Sequence, residues 1–107
     1  MKRTLILSAV LGIAATALAI GSFGKVFNET YTVAATSKLG KAKCAVCHVK
    51  TTGGALNAYG KDQKTAMGSS KKLTATMLHG LDAKDSDGDG RKNIDEIKAD
   101  KMPGKCD

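Results

Sequence analysis

Two cysteines and a histidine form the most reactive segment of the chain, Cys44-Ala45-Val46-Cys47-His48. Two thiols three positions apart on one helical turn can each add to a vinyl group of a porphyrin ring. The adjacent imidazole is then delivered beneath the ring, where it can bind iron as the proximal ligand. The C-x-x-C-H spacing therefore predicts that one haem c is attached covalently through Cys44 and Cys47, with His48 as the first iron ligand.

Two other chemistries use paired cysteines. A thioredoxin-like redox pair has the same C-x-x-C spacing, but it needs a βαβ context, and no β-rich alternation surrounds residues 44–48. A zinc site needs a second Cys/His pair at finger-like spacing, and the other candidates, His79 and Cys106, lie far apart in the sequence. Both alternatives stay open, with haem attachment favoured.

Acidic residues near the C-terminus have the spacing of an EF-hand calcium loop over residues 85–96. The predicted ligands are Asp85, Asp87, Asp89, Arg91 through its backbone carbonyl, Asn93 directly or through water, and Glu96 with two oxygens. Such hard oxygen ligands favour one Ca²⁺ over zinc or copper. Lys92 stands where paired EF-hands usually have an aliphatic residue, and the chain has no second loop. The pattern predicts a solitary structural calcium site, with an acidic loop that stays empty as the alternative.

The first residues have the pattern of an export signal. Lys2 and Arg3 precede an apolar stretch, and Ala17-Leu18-Ala19 supplies a small-x-small cleavage pattern. We expect residues 1–19 to be a cleaved signal peptide; if it is not cleaved, it would anchor the protein in a membrane. Export predicts a periplasmic or extracellular location, which agrees with haem attachment, since bacteria attach c-type haem outside the cytoplasm.

The rest of the chain is long enough for one domain. It has no Trp, two Tyr and two Phe, so a bound porphyrin would supply much of its apolar centre. Helical spacing and breaks predict a helix from Ser37 through the C-x-x-C-H segment and two more over Ala55–Met67 and Lys72–Leu81. We therefore predict an all-α domain over residues 37–107, preceded by a loosely held N-terminal arm at residues 20–36.

The formal charge of the full chain is +7, and the chain remains basic without the signal. A lysine-rich face predicts an acidic redox partner protein, with a merely solvated face as the alternative. Nucleic acid is not expected as a partner of an exported haem protein. Haem attachment leaves one of the three cysteines, Cys106, as a free thiol or an intermolecular disulfide, which would allow self-association.

Three parts of the chain resemble small exported monohaem c-type cytochromes of bacteria. They are the C-x-x-C-H segment, the stretch Leu56-Asn57-x-Tyr59-Gly60, and the acidic loop followed by Pro103-Gly104. The resemblance covers most of the exported chain. It implies a class I-like, cytochrome c-like helical fold around one haem and electron transfer through an exposed haem edge. Since no general base, nucleophile or carboxylate dyad accompanies the C-x-x-C-H segment in the sequence, we expect an electron carrier and not an enzyme.

The resemblance also implies a second axial ligand. In class I cytochromes c this is a methionine, often just before a proline, and Met102 precedes Pro103 here. His79 is the rival, while Met77 and Met67 are weaker candidates because they fit the apolar faces of helices. An open sixth position would instead predict gas binding or peroxidatic chemistry. A third hypothesis is a structural or assembly module that aligns haems between subunits.

Overall fold

The computed structural model describes residues 22–106. The predicted signal peptide at residues 1–19, and its alternative as a membrane anchor, lie outside the described residues. The elements are α1 (Ser22–Thr30), α2 (Lys38–Ala42), a 3-10 helix (Lys43–Val46), β1 (His48–Lys50), β2 (Gly53–Leu56), α3 (Ala58–Met67), α4 (Ala75–His79) and α5 (Asn93–Lys98). Over this part of the chain, each helix is too short or too polar to cross a membrane.

A two-stranded antiparallel sheet makes the domain a small mixed α/β structure, so the prediction of an all-α fold is wrong. His48 pairs with Leu56 and Lys50 pairs with Gly53. The chain can return along β1 because Gly53 and Gly54 adopt φ angles of 114° and 87°, which glycine tolerates without steric cost. Strands this short carry almost no alternating pattern of apolar and polar residues, so the periodicity of the sequence does not predict them.

The helix predicted from Ser37 is shorter than expected. Ser37 is its N-cap, as predicted, because its Oγ accepts a hydrogen bond from the backbone N–H of Gly40 at 3.0 Å. The helix α2 ends at Ala42 because Lys43 has φ 51° and ψ −117°, which is incompatible with an α-helix. The C-x-x-C-H segment therefore runs from the 3-10 helix into β1 instead of lying on the last turns of α2.

The two other predicted helices exist but begin later than expected. The helix α3 begins at Ala58 because the preceding residues form β2, and Asn57 caps it by accepting a hydrogen bond from Gly60 at 2.9 Å. The helix α4 lies inside the predicted range and is capped by Thr74, whose Oγ1 accepts from the backbone N–H of Met77 at 3.2 Å.

The segment expected to be a loosely held arm contains α1, which packs against α4. Phe27 is buried, and its ring centroid lies 5.1 Å from that of Tyr31 and 6.1 Å from that of Tyr59. The Tyr31 hydroxyl donates a hydrogen bond to Asp82 at 2.5 Å. Residues 22–31 are therefore part of the packed domain.

Buried apolar side chains from most elements form one core. Its members are Phe27, Leu39, Val46, Tyr59, Leu73, Leu78, Leu81 and Ile97. Val46 belongs to the C-x-x-C-H segment and Tyr59 to the Leu56–Gly60 stretch, so both motifs are anchored in the core.

Candidate functional site

An open cleft of about 1220 Å³ lies beside the C-x-x-C-H segment and is lined by Cys44, Cys47 and His48. It is larger than the roughly 300–1,000 Å³ of common small-molecule sites. Its apolar lining consists of Phe23, Phe27, Val33, Val46, Leu56 and Met67. The structure thus brings the predicted haem-binding residues together at one apolar cleft.

The hairpin of β1 and β2 holds His48 in a defined orientation. Its Nδ1 lies 2.7 Å from the carbonyl oxygen of Gly54, and because a carbonyl only accepts hydrogen bonds, Nδ1 is the donor. In the neutral ring, Nε2 then keeps a free lone pair. Histidines that bind metals typically donate their other ring N–H to a carbonyl or carboxylate in this way. The hairpin, which the sequence did not reveal, therefore prepares His48 to bind a metal through Nε2.

One amide group braces the backbone of the C-x-x-C-H segment. Asn57 Nδ2 lies 3.0 Å from the carbonyl oxygens of both Ala45 and Val46 and 3.3 Å from that of His48. The same side chain caps α3 through its Oδ1. Asn57 therefore connects the start of α3 to the segment that carries the two thiols. Its position just before a helix was the only signal of this role in the sequence.

Two glycines allow this brace to pack closely. A Cβ atom at Gly60 would overlap the carbonyl oxygen of Cys47, and one at Gly104 would overlap the side chain of Asn57. Pro103, which precedes Gly104, is buried. The Leu56–Gly60 stretch and the Pro103-Gly104 pair therefore both contact the C-x-x-C-H segment or its brace, Asn57.

The two motif thiols are free and differ in exposure. Cys44 is exposed, whereas Cys47 is partly buried, and this burial raises the pKa of the Cys47 thiol to about 11. Within residues 22–106, no cluster of metal-ligating side chains forms around these cysteines, and the sheet is a single antiparallel hairpin. The described part of the chain therefore supplies neither the extra ligands of a zinc site nor the βαβ unit of a thioredoxin-like fold.

Two buried polar atoms near the thiols lack hydrogen-bond partners. Gln63 is 5% exposed and lines the cleft, and its Nε2 has no partner; Tyr59 is fully buried, and its hydroxyl has none. An unsatisfied buried donor costs about 1–3 kcal/mol. The size and the apolar lining of the cleft, with the two thiols and His48 on its wall, fit a haem.

The candidates for the second axial ligand lie in different places. Met67, on α3, packs against the core and also lines the same cleft as His48. Met102 packs against the core and lines a separate cavity of about 260 Å³ beside the start of α2. The side chain of His79 is 56% exposed and its Nδ1 lies 2.9 Å from Asp82. Met77 packs against the core. The structure therefore brings Met67 to the cleft that holds the C-x-x-C-H residues, and it does not bring Met102 or His79 there.

The acidic loop forms a compact cluster of carboxylates. One oxygen from each of Asp85, Asp87, Asp89 and Glu96 lies within 4.8 Å of the others. Glu96 is 1% exposed, and neither its Oε1 nor the buried Oδ2 of Asp87 has a hydrogen-bond partner. Burial, followed by the close approach and the charge of Asp87 and then the charge of Asp89, raises the pKa of Glu96 to about 8. Unpartnered carboxylate oxygens that converge in this way fit a bound cation.

The two other predicted calcium ligands occupy different parts of the loop. The backbone N–H of Arg91 donates to Asp89 Oδ1 at 2.9 Å, and the residue is exposed. Asn93 is fully buried; its Nδ2 donates to Leu81 O at 2.9 Å and to Ser86 Oγ at 2.8 Å. Its Oδ1 accepts from the backbone N–H of Ser86 at 3.1 Å. Asn93 therefore holds the loop against the start of α5.

The remaining cysteine lies next to this cluster. Cys106 is exposed, and its Sγ donates a hydrogen bond to the backbone carbonyl of Asp87 at 3.2 Å. Slight desolvation of the sulfur, and then the negative charges of the loop carboxylates, raise the pKa of its thiol.

Comparison of the chain with family models, curated proteins and solved structures found no match. Membership of the cytochrome c family therefore stays a prediction.

Proposed function

We propose that this protein binds one haem covalently through Cys44 and Cys47, with His48 as an iron ligand, and acts as a one-electron carrier outside the cytoplasm. The observation that carries the proposal is the hydrogen bond from His48 Nδ1 to Gly54, at a cleft that also holds both thiols. When bound, haem iron supplies a one-electron couple. The chain fixes the imidazole, braces the attachment segment through Asn57, and covers one part of the cleft with apolar side chains.

Met67, in place of Met102 and His79, would supply the second protein ligand to the haem iron. It is the methionine that lines the cleft with His48. A thioether ligand raises the reduction potential relative to a second histidine, which suits a carrier. The absorption spectrum tests this assignment: Met67→Leu should abolish the ferric charge-transfer band of a methionine–iron bond, and the matched Met102→Leu should keep it. The reverse pattern would contradict the assignment.

The absorption spectrum also tests the function. The purified exported protein should contain a low-spin, six-coordinate haem that does not bind carbon monoxide readily. A high-spin ferric spectrum with rapid carbon monoxide binding would contradict electron transfer. It would favour a gas-binding or peroxidatic protein, the alternative that the unpartnered Gln63 amide at the cleft supports.

We propose that the acidic loop binds one Ca²⁺ through Asp85, Asp87, Asp89 and Glu96. Arg91 would add its backbone carbonyl, and Asn93 would contribute directly or through a water molecule. The role is structural, because Glu96 is buried on α5 and its Oε1 has no other partner. Oxygen ligands of this kind favour Ca²⁺ over softer metals. Chelation should lower the melting temperature; an unchanged melting temperature would contradict a structural calcium ion.

An acidic redox protein is the proposed partner. Lysines at positions 25, 43, 64 and 71 line the cleft, whereas Glu29 is the acidic residue that does so. Positive charge around a redox site attracts acidic proteins over a distance and speeds their encounter. Electron-transfer rates with an acidic partner should therefore fall as ionic strength rises, and rates that do not depend on salt would contradict this docking.

The periplasmic or extracellular location is part of the same proposal. It is supported by the export pattern of residues 1–19 and by the need for haem attachment outside the cytoplasm.

A further inference from the structure

We propose that calcium binding to the acidic loop raises the reduction potential of the haem, and that Asp62 transmits this effect as a positioning residue. This inference rests on the proposed function. It adds a coupling between two sites that the sequence presents as separate.

Asp62 connects the acidic loop to the helix that lines the cleft. It lies on α3, and its Oδ2 accepts a hydrogen bond from Ser86 Oγ at 2.6 Å. Lys84, just before the loop, lies 3.6 Å from the other carboxylate oxygen. The same helix presents Gln63 and Met67 to the cleft. A movement of the loop at Ser86 therefore shifts the helix that carries Met67, the proposed iron ligand.

Ser86 is firmly tied to the carboxylate cluster. It stands between Asp85 and Asp87, two members of the cluster. Its Oγ accepts from the buried amide of Asn93, and its backbone N–H donates to the same amide. Asn93 begins α5, the helix that carries Glu96. A continuous hydrogen-bond chain therefore runs from α5 through Asn93 and Ser86 to Asp62 on α3.

The coupling requires the acidic loop to have two arrangements, closed with calcium and open without it. Four carboxylate oxygens within 4.8 Å of one another repel when no cation neutralises them. A bound calcium ion would neutralise this repulsion and so stabilise the closed arrangement, in which Ser86 reaches Asp62, over an open loop whose carboxylates are spread apart. A ligand shifts an equilibrium only through such a difference in affinity between two states.

The sign of the effect follows from the chemistry of the thioether. Sulfur of methionine is a soft ligand and favours the ferrous over the ferric ion, which is why methionine ligation raises the potential. If calcium holds α3 where Met67 faces the cleft, it favours the ferrous protein. Linkage then requires the ferrous protein to bind calcium more tightly than the ferric protein, by the same factor.

The experiment measures both sides of this linkage on the haem-containing protein. The reduction potential is measured with saturating calcium and with chelator, and the calcium dissociation constant is measured by calorimetry in each redox state. Coupling between sites is typically about 5-fold or more. A fivefold change corresponds to about 41 mV, since tenfold is about 59 mV for a one-electron couple. We expect a rise of at least that size with calcium and the matching ratio of dissociation constants.

Two substitutions at one position separate the hydrogen bond from simple charge effects. Asp62→Ala removes the acceptor for Ser86 and should abolish the shift. Asp62→Asn keeps an acceptor oxygen while removing the charge, and it should retain most of the shift. Ser86→Ala, which removes the donor, should resemble Asp62→Ala. The measured quantity is the ratio of the calcium dissociation constants of the ferric and ferrous protein. A general loss of calcium affinity changes both constants equally and leaves this ratio unchanged.

Three outcomes would overturn the inference. A shift that persists in Asp62→Ala would be a through-space effect of the ion, and an equal loss in both Asp62 variants would assign the coupling to charge. Equal calcium affinities in the two redox states of the wild type would remove the coupling while leaving the proposed function intact. A protein that carries no haem would refute the proposed function and the inference with it.

Discussion

Replacing Asn57 with alanine tests the brace behind the C-x-x-C-H segment. The Nδ2 group has two hydrogens for the three carbonyls of Ala45, Val46 and His48, so it makes two hydrogen bonds at any moment. The substitution removes both, at about 1 kcal/mol each. The helix cap at Gly60 is worth about 1 kcal/mol more. We therefore expect Asn57→Ala to reduce the free energy of unfolding by about 3 kcal/mol.

The assay is denaturant unfolding of the purified protein followed by circular dichroism. A loss of this size corresponds to a fall in melting temperature of about 12–24 °C for a domain of this length. Asn28→Ala is the matched control, because Asn28 is exposed on α1, and it should change stability by less than about 0.5 kcal/mol. Asn57→Asp keeps the helix cap but turns a carboxylate toward backbone carbonyls, so it should be no more stable than Asn57→Ala.

A loss below about 1 kcal/mol in Asn57→Ala would refute the reasoning, because even the cap alone has that value. A stable Asn57→Asp protein would refute the donor role in particular. In both cases the geometry of the C-x-x-C-H segment would have to depend on other contacts.

Three further predictions concern the packing and the calcium loop. Gly60→Ala should destabilise the protein by about 1–3 kcal/mol because the added Cβ would overlap a backbone carbonyl. Gly24→Ala on α1 should not, because a Cβ added there has no neighbouring atom within 4 Å; equal stabilities of the two variants would contradict this packing. Calcium at 100 times its dissociation constant should add about 2.7 kcal/mol to the free energy of unfolding. In calorimetry, Glu96→Gln should weaken calcium binding, whereas Asp95→Asn, at an exposed neighbouring residue, should not. Equal calcium affinities of the two variants would show that Glu96 is not a ligand. Phe27→Ala should reduce the free energy of unfolding by about 3–5 kcal/mol, measured with denaturant, because the ring is buried. A reduction below about 1 kcal/mol would show that α1 is not packed on the core.

The sequence predicted those features that depend on local spacing. The Ser37 cap is confirmed because a capping serine acts on an amide only three positions away. The carboxylates from Asp85 to Glu96 converge as predicted because the loop spacing itself places them together. The end of α3 at Met67 also follows from the glycine next to it, since Gly68 adopts φ 56°.

The features that depend on distant contacts were missed. The helix α1 owes its place to Phe27 packing on Tyr59, which no local pattern encodes. The hairpin consists of strands of three and four residues, too short for a clear alternation of apolar and polar residues. Met67 packs against the core, as its place on an apolar helix face predicts, but only the folded chain reveals that it also lines the cleft.

The central claim is that Cys44 and Cys47 hold a haem, and the mass of the intact exported protein tests it most directly. We predict the mass of the chain plus one haem, with the haem recovered on the peptide that contains both cysteines and His48. A mass equal to that of the polypeptide alone, with the two thiols free or joined in a disulfide, would contradict the account.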